Sequence, residues 1–445
     1  MEYGTFVRWV LVIALAALMV RLVIAPSLGY EGLDSDLIEH KQAMHLALTQ
    51  GIDKVYLPSA RNDPALSGRQ WDGGYFTNQP PLIFYLRYIP VALYRVFSPA
   101  GFDSWSENLN YVELAQTDLM PRLLTTRGFT VALKLPAILA DAAITFGLAL
   151  LLRTRMKPQA ALAAAAGYGL NPGIVFDTAF WGQHDAIAAG LVCLSLLVIL
   201  RRHLEIGWAA YALAGLTKPQ AVAFAPLILM LGFVHFPLRR IMQAAVVAFS
   251  VVFLVFMPFI IHGTLTASVV AIWRSTIGGE PFVSCNANNV WWLIAGGNGY
   301  QHPDTIHLGI FTPRTLGLLA VIACNLLLVW RLGARRDMPR TFFAGVIAAL
   351  SFFLFSTELH ENHGMAVIPL LAFALPADRR LWVPFIVLSV TFLLNLALFD
   401  PAVLNFVNAW MRRSLVVRPI SLGAAIFNVA AFAMLWAIYW RQRSE

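Results

Sequence analysis

The stretch AGVIAALSFFLF-STELHENHG-MAVIPLLAFAL, residues 344–375, decides how the rest of the chain is interpreted. Ala344–Phe355 and Met365–Leu375 contain almost nothing polar, and each looks able to cross a bilayer. Between them stand two imidazoles, a carboxylate and an amide, in the tetrad His360-Glu361-Asn362-His363. Placing such groups at a membrane boundary costs desolvation free energy, so they usually face a cavity and act there. The stretch therefore predicts membrane helices with a functional polar cluster at their ends.

The composition of the whole chain agrees with this prediction. Of 445 residues, 59% are hydrophobic and 13% are charged, and the mean hydropathy is +0.67. A soluble domain carries about 25% charged residues, so the chain is an integral membrane protein. Cys193, Cys285 and Cys324 form neither a disulfide framework nor a zinc-ligand pattern. The net charge of +8 is concentrated in short loops, which indicates orientation in a membrane rather than nucleic-acid binding.

Apolar segments recur along the chain at lengths that suit a bilayer, some of them short enough to be tilted or broken. They lie near 9–28, 129–152, 159–176, 184–201, 205–217, 220–236, 241–261, 313–331, 341–357, 364–377, 382–399 and 419–440. Basic clusters fall at alternate ends of these segments, which places those ends and both termini in the cytoplasm. The run Trp9–Ile24 is interpreted as a retained first span rather than a signal peptide. We predict an all-α polytopic membrane protein with roughly twelve transmembrane helices in one domain, residues 1–445.

Two long segments lie on the outer side in this topology, about 29–128 and about 262–312. Within the first, Pro81–Phe97 is apolar enough to be proposed as a span. Counting it would move every later basic cluster to the outside, against the positive-inside rule. We therefore predict an interfacial or re-entrant helix there, with Arg87 and Arg95 on its polar side.

The other polar islands fall on the same outer face as the tetrad. They are Asp34-Ser35-Asp36, Asn78-Gln79, Asp177 with Trp181-Gly182-Gln183-His184-Asp185, Lys218-Pro219-Gln220, and Asn286-Ala287-Asn288-Asn289. Each has an ordinary structural explanation by itself, such as a helix N-cap, an aromatic belt, a snorkelling lysine or a turn. Their common side predicts one outward-facing polar cavity at the membrane boundary.

The carboxylates of Asp34 and Asp36 follow the first span closely. Alternation in an extended loop would aim both the same way. One is a candidate general base, and the pair leaves open a site for a divalent cation, Mg²⁺ or Mn²⁺. Asp36 is equally well placed to cap the helix predicted at Leu37–Leu48, which would be a structural role.

His360 and His363 would share one helix face at a spacing of i and i+3. They are candidates for binding a metal, transferring protons or donating hydrogen bonds to a phosphate. The second histidine comes one residue too early for the zinc protease motif, and two histidines alone are too few for catalytic zinc.

The chain order of the islands is itself informative. An acidic residue in the first outer loop precedes Pro80-Pro81-Leu82, Trp181–Asp185, Lys218–Gln220, an Asn-rich stretch before Trp291-Trp292, and His360-Glu361. This order resembles the GT-C superfamily of polytopic glycosyltransferases over about residues 30–370. The chain looks most similar to bacterial proteins related to the GPI mannosyltransferases and to glucosyltransferases that use dolichyl-phosphate glucose.

The resemblance implies an inverting transfer of one hexose, mannose or glucose, from a polyprenyl or dolichyl phosphate to an acceptor hydroxyl. It implies Asp36, with Asp34 as second choice, as the catalytic carboxylate. It also implies that His360, helped by His363 or Lys218, contacts the donor phosphate. The remaining island residues are expected to contact substrate: Asn78, Gln79, Trp181, Gln183, Asp185, Asn288 and Glu361.

Two positions depart from the family pattern. Asn362 stands where relatives often have Lys or Arg, and Asn78-Gln79 replaces an Asp-Tyr pair before Pro-Pro. The identity of the donor sugar and of the acceptor therefore does not transfer from the family. Relatives of this branch act without a metal, whereas the Asp34 and Asp36 pair leaves a cation open.

We therefore expect an enzyme of the bacterial inner membrane whose site faces the periplasm. Its partners would be a polyprenyl-phosphate sugar, a glycan, glycolipid or protein acceptor, and membrane lipids, with no nucleic acid. A transporter or flippase of a lipid-linked saccharide is the alternative, but transporters typically show internal repeats and polar groups near the bilayer midplane. No repeat is detectable here, and a non-catalytic scaffold would leave the clustered Asp, His and Lys unexplained.

Overall fold

The computed structural model describes residues 1–27, 36–57, 77, 79–105, 119–276, 281–333, 337–400, 402–405 and 413–442. Two predicted site residues, Asp34 and Asn78, lie outside the described residues. Regular structure within these ranges is helical, with isolated β-bridges only. The all-α prediction is therefore confirmed for the part of the chain that is described.

An α-helix lies in every segment that was predicted as a span, although several of these helices are shorter than the segment. In chain order the first are α1 Tyr3–Ile24, α2 Asp36–Thr49, α3 Leu82–Phe97, α4 Pro99–Asp103, α5 Leu119–Thr125, α6 Arg127–Leu152, α7 Pro158–Gly169, α8 Pro172–Val175, α9 Asp185–Leu200 and α10 Leu204–Gly215. They are followed by α11 Ala225–His235, α12 Leu238–Ile261, α13 Leu265–Thr276, α14 Val290–Ile294, α15 Pro313–Leu332, α16 Met338–Phe355, α17 Val367–Ala374, α18 Trp382–Ala397 and α19 Arg413–Arg441. Shorter 3₁₀ or π turns occur at Ile52–Tyr56, Phe176–Trp181, Pro219–Phe224, Glu361–Gly364, Leu375–Ala377 and Arg379–Leu381.

Within the described residues, 7 helices are long and apolar enough to cross a membrane. They are Tyr3–Ile24, Arg127–Leu152, Leu238–Ile261, Pro313–Leu332, Met338–Phe355, Arg379–Ala397 and Val416–Arg441. Shorter apolar helices occur at Asp185–Leu200, Pro219–His235 and Leu265–Arg274. An all-α membrane protein is therefore supported, and the count of roughly twelve spans stays a prediction.

Helix α16, which ends just before the tetrad, is the centre of the bundle. Its apolar window is 83% buried inside the protein, whereas that of α12 is 11% buried. Phe342, Ile347 and Leu354 of α16 are fully enclosed by neighbouring helices. Because α16 is enclosed by other helices, the residues after Phe355 lie at the middle of one end of the bundle.

Helix α3 coincides with the interfacial or re-entrant helix predicted at Pro81–Phe97, and its position relative to a membrane stays a prediction. It exposes apolar side chains, including Ile89, Val96 and Phe97, and it buries Arg87 completely. The guanidinium of Arg87 points inward, and its Nε donates to the backbone oxygen of Leu133 at 3.2 Å. Arg87 was predicted on the polar side of the helix together with Arg95. The structure buries Arg87, because α2 and α6 pack against α3, and leaves Arg95 exposed.

A buried ion pair ties the first helix to its neighbours. Arg21 Nε donates to Asp141 Oδ2 at 2.9 Å, and Thr178 Oγ1 donates to the same oxygen at 2.8 Å. Tyr168 Oη donates to Asp141 Oδ1 at 2.5 Å, and Arg21 Nη1 donates to the carbonyl of Gly169 at 2.5 Å. Both oxygens of the Asp141 carboxylate are thus satisfied, as buried charges require.

Candidate active site

A chain of hydrogen bonds joins four separate segments at the α16 end of the bundle where the tetrad lies. Gln183 Nε2 donates to Asp36 Oδ2 at 2.6 Å, and Lys218 Nζ donates to Gln183 Oε1 at 3.4 Å. Lys218 Nζ also lies 2.7 Å from Asp185 Oδ2. Asn362 Nδ2 donates to the same Asp185 oxygen at 3.0 Å. We call Asp36, Gln183, Lys218, Asp185 and Asn362 the site network.

An irregular turn places Gln183 and Asp185. Phe176–Trp181 is π-helical, a form that is often found at functional sites, and Gly182 follows with a left-handed φ of 82°. A Cβ at Gly182 would lie 2.9 Å from carbons of Lys134, so glycine suits this position for both conformation and space. The turn closes when Gln183 N donates to the Asp177 carbonyl at 2.9 Å, and α9 then begins at Asp185.

Lys134 holds this turn in place. Its buried Nζ donates to the carbonyls of Ala179 and Phe180 at 3.0 and 2.8 Å. It also donates to the carbonyls of Ala25 and Ser27 at 3.1 and 3.0 Å. The sequence analysis missed this residue, although a single lysine inside an apolar segment was a signal, since buried lysines need such partners.

Lys218 owes its position to the proline that follows it. Proline disfavours the helical conformation in the preceding residue, and Lys218 is extended, with φ −145° and ψ 130°. This conformation takes the lysine out of the end of α10 and turns it toward Asp185. Both side chains are about nine-tenths buried, at 7% and 10% exposure, so water screens their attraction only weakly.

The tetrad forms a 3₁₀ turn in which His363 is fixed by two contacts. The backbone N–H of His360 donates to His363 Nδ1 at 3.2 Å. Burial, and then the charges of His360 and Lys218, hold the pKa of His363 well below its ordinary value, so the ring is neutral and carries its proton on Nε2. His363 Nε2 lies 2.9 Å from the Gln220 side-chain amide, whose oxygen must therefore face it.

His360 is the member of the tetrad that is most open to the surroundings. Its side chain is 34% exposed, and its Nδ1 lies 3.8 Å from Glu361 Oε2, whose side chain is 3% exposed. Its backbone forms β-bridges with Cys285 and Asn286, so the loop before α14 packs against the tetrad. His360, Glu361 and His363 are thus gathered beside the site network, which Asn362 joins directly.

The asparagines before Trp291 have separate roles. Asn289 caps α14, because its Oδ1 accepts from Trp292 N at 3.0 Å, as the turn interpretation predicts. Asn288 is fully buried, and its backbone is held by Asn395 and Asn428. Neither atom of the Asn288 side-chain amide has a hydrogen-bond partner in the described part of the chain. The structure does not join Asn288 to the site network by a hydrogen bond.

Trp181 and Gln79 lie near the network without joining it. Trp181 is buried, and its Nε1 donates to Asp400 Oδ2 at 2.8 Å, so it is not an interfacial belt residue. The carbonyl of Gln79 accepts from Tyr56 Oη. The Pro80-Pro81-Leu82 turn is fastened where Leu82 N donates to the Leu216 carbonyl at 3.1 Å, two residues before Lys218.

A small cavity lies beside the network. Its polar wall consists of Asp185, Lys218, Gln220 and His363, and its apolar wall includes Ala189, Ala221, Phe224, Ala349 and Phe352. Its volume of ≈ 30 Å³ exceeds the ~10–15 Å³ that one water needs, but it is far below the ~300–1,000 Å³ of a ligand pocket. Binding of a substrate therefore requires side chains at this end of the bundle to move.

Three buried groups near the network were not singled out as site residues by the sequence analysis. Neither ring nitrogen of His40 and neither terminal nitrogen of Arg87 has a hydrogen-bond partner among the described residues, and these side chains are 1% and 0% exposed. Both carboxylate oxygens of Asp177 are likewise unpartnered there. Burial, and then the charge of Asp185, raises the pKa of Asp177 well above its ordinary value, which favours the protonated acid.

A metal site does not emerge from the described residues. Among them, no group of three or more His, Cys, Asp or Glu side chains comes together as a candidate set of ligands. Asp36 Oδ2 accepts an amide N–H from Gln183, and Asp34 lies outside the described ranges. The sequence analysis left open a divalent cation at Asp34 and Asp36, and this cation stays a prediction.

Searches against protein-family models and against curated proteins found no match for this sequence.

Proposed function

We propose that this protein is an inverting glycosyltransferase. It moves one hexose from a polyprenyl-phosphate donor to an acceptor hydroxyl at the outer face of the membrane. The observation that carries the proposal is the continuous network from Asp36 through Gln183 and Lys218 to Asp185 and Asn362. It supplies a carboxylate that can act as base and a cation that can stabilise a leaving phosphate, at the ends of apolar helices.

In the proposed step, Asp36 takes the proton of the acceptor hydroxyl. The acceptor oxygen forms a bond to C1 of the donor sugar as the bond from C1 to the phosphate oxygen breaks. The electron pair of that bond leaves with the polyprenyl phosphate, and a single displacement inverts the configuration at C1. Gln183 orients Asp36 by donating to Oδ2, which leaves Oδ1 as the oxygen that receives the proton.

Lys218 is the cation that would meet the leaving phosphate. It is paired with Asp185 in the structure, and it would reach a phosphate with its third N–H or by turning away from Asp185. Asn362 donates to the same Asp185 oxygen, which keeps this buried carboxylate hydrogen-bonded when the lysine moves. Asn362 stands where members of the resembled family often have Lys or Arg. In this arrangement its amide holds Asp185 without adding a second positive charge.

The surroundings of Lys218 suit a donor that arrives from the membrane. The cavity beside it has a polar wall with His363 and an apolar wall of small and aromatic side chains. Phosphate oxygens would face the polar wall, and the first carbons of the lipid chain would face the apolar one. His360, the exposed member of the tetrad, lies beside it as a further donor to the phosphate.

The proposal is tested by incubating purified protein with synthetic polyprenyl-phosphate hexoses and, separately, with nucleotide hexoses. We expect transfer from the lipid donors alone. Asp36→Asn should lower kcat by about 10²- to 10⁴-fold, the usual contribution of a general base. Asp103→Asn makes the same chemical change at an exposed carboxylate on α4 and should leave kcat unchanged.

Two results would overturn the proposal. The first is full turnover by Asp36→Asn, which would remove the base. The second is movement of an intact lipid-linked saccharide across reconstituted vesicles without cleavage, which would favour the transporter.

A further inference from the structure

A second group of polar side chains lies around Asp36, and the proposed transfer step leaves it unused. Arg87 of α3 is anchored by the bond from its Nε to the Leu133 carbonyl at 3.2 Å. Its Nη1 and Nη2 have no partner among the described residues, and the side chain is completely buried. His40 of α2 is 1% exposed, and both of its ring nitrogens are unpartnered in the same ranges.

These side chains converge on one region. Asp36, Glu39 and His40 are spaced i, i+3 and i+4, so they share one face of α2, and α2 packs against α3. Burial lowers the pKa of Arg87 to about 9, against the opposing attraction of the Asp36 and Glu39 carboxylates. Arg87 therefore keeps its charge at pH 7 and stands within electrostatic range of both carboxylates.

His40 contributes a neutral ring to the same region. Burial, followed by the positive charges of Arg87 and Lys218, lowers its pKa well below the ordinary value. A neutral imidazole offers one donor and one acceptor. Arg87 and His40 together thus present three or more unmet hydrogen-bonding positions beside the proposed base.

The charges of this region argue against a phosphate as its ligand. The proposed step assigns Lys218 to the donor phosphate, so the single charge of Arg87 faces the two carboxylates of Asp36 and Glu39. A phosphate placed there would be repelled by two carboxylates whose charge Arg87 alone offsets. A neutral polyol adds no charge, and its hydroxyls can accept from Arg87 while donating to Asp36 and to His40.

We propose that Arg87, His40 and Asp36 form the subsite for an acceptor sugar, so that the acceptor is a saccharide rather than a protein hydroxyl. The chemistry of this inference rests on the proposed function, whereas the binding does not. A serine or threonine side chain brings a single hydroxyl, which Asp36 would take, so only backbone carbonyls of a peptide are left to accept from Arg87. Neighbouring hydroxyls on a sugar ring reach both at once, and unpaired buried donors are costly.

Binding without turnover tests the subsite directly. Purified protein is titrated with methyl α-mannoside, methyl α-glucoside, N-acetylserinamide and inorganic phosphate, with ligand-observed NMR as the readout. We expect a glycoside to bind, and Arg87→Lys to weaken it about 10- to 100-fold, because lysine cannot reproduce the planar fork. Arg95→Lys changes the other arginine of α3, which is exposed, and should leave binding unchanged.

The opposite pattern overturns the subsite. It would be overturned by glycosides that bind wild type and Arg87→Lys equally or bind neither, by preferential binding of N-acetylserinamide, or by phosphate binding that depends on Arg87. If Arg87→Lys does not fold, a diazirine-bearing methyl glycoside on wild-type protein decides instead. We expect its cross-links within α2 or α3, and cross-links elsewhere or none reject the subsite.

Kinetics separate this inference from the proposed function. With both in place, Arg87→Lys raises KM for the saccharide acceptor about tenfold or more and leaves KM for the lipid donor unchanged. Glycoside binding that depends on Arg87 without any transfer from lipid donors would keep the subsite and reject the transferase. Transfer to peptide hydroxyls with an unchanged acceptor KM in Arg87→Lys would keep the transferase and reject the subsite.

Discussion

The bundle holds two sets of buried polar side chains, and they differ in how many of their donors and acceptors have hydrogen-bond partners. Asp141 accepts from Tyr168 at one oxygen and from Arg21 and Thr178 at the other. Only Nη2 of Arg21 lacks a partner in that set. The groups there are matched to one another, as expected for a cluster that stabilises the fold.

The other set surrounds the site network and is not matched in this way. The network residues bond one another, but His40, Arg87 and Asp177 beside them have unpartnered atoms within the described residues. Burying such groups costs free energy, so a fold keeps them where a ligand or a proton supplies the missing bond. The comparison is consistent with a structural role for Asp141 and with the catalytic role that we propose for Asp36.

The largest effect on stability is expected at the matched cluster. Asp141→Asn removes the partner of a buried arginine, and breaking a buried pair costs about 3–5 kcal/mol. We predict a clear fall in the thermal unfolding midpoint in detergent and unchanged turnover per folded molecule. Asp36→Asn should show the reverse pattern, and a large loss of stability in that variant would erase the distinction between the two clusters.

The next largest effect is expected at Lys218. Replacing it by methionine keeps the length of the chain but removes the charge that would stabilise the leaving phosphate, so kcat should fall about 100-fold or more. Lys157→Met, at an exposed lysine of a basic cluster, serves as the control in the same transfer assay. Unchanged kcat in Lys218→Met would confine Lys218 to a structural pairing with Asp185.

A smaller effect is expected from acid. Burial, as the first cause, lowers the pKa of His40, His184 and His363 below the ordinary value of 6.5. Below this pH the three histidines bind protons in the unfolded chain but not in the folded one. The free energy of unfolding therefore falls as the pH drops below about 6.5 and is level above it.

Thermal unfolding between pH 8 and pH 5 checks this prediction. The slope on the acid side should decrease in His40→Asn by up to about 1.4 kcal/mol per pH unit, the share of one proton. His302→Asn changes an exposed histidine and should leave the slope unchanged. An acid slope that is the same in wild type and His40→Asn would mean that this ring is not held neutral.

The smallest effect is expected from removing metal ions. Gln183 donates to Asp36 Oδ2 at 2.6 Å, and an oxygen that accepts an N–H at this distance is poorly placed to bind a cation. We predict that EDTA leaves the rate of transfer unchanged. If EDTA lowers the rate of transfer and Mg²⁺ or Mn²⁺ restores it, the divalent cation considered for Asp34 and Asp36 would be established.

Part of the site could be predicted because it depends on which helix ends lie on the same side of the membrane. Alternating basic clusters put the ends of α9, α10 and α16 on one side, which is why Asp185, Lys218 and Asn362 could be expected to meet. The structure brings these three into contact with one another. Helix positions were equally predictable, since bilayer thickness fixes the length of an apolar segment.

The rest depends on packing that a sequence does not display. Which face of α3 turns inward is decided by α2 and α6, so the burial of Arg87 and the exposure of Arg95 could not be told apart from the sequence. His40 lies in the helix predicted at Leu37–Leu48 and was not singled out, because the sequence does not show that α3 packs against α2. Trp181 was expected to contact substrate, with an aromatic belt as the alternative, and only the long-range contact with Asp400 shows that it is internal.

Following both products of one reaction tests the central claim most directly. Purified wild-type protein is given a polyprenyl-phosphate hexose of known anomeric configuration and an acceptor glycoside, and released polyprenyl phosphate and new glycoside are measured together. We predict equal amounts of the two, inverted configuration at C1 in the new glycoside, and loss of both in Asp36→Asn. Release of polyprenyl phosphate without a new glycoside, retained configuration, or product formation that does not depend on Asp36 would contradict transfer at this site.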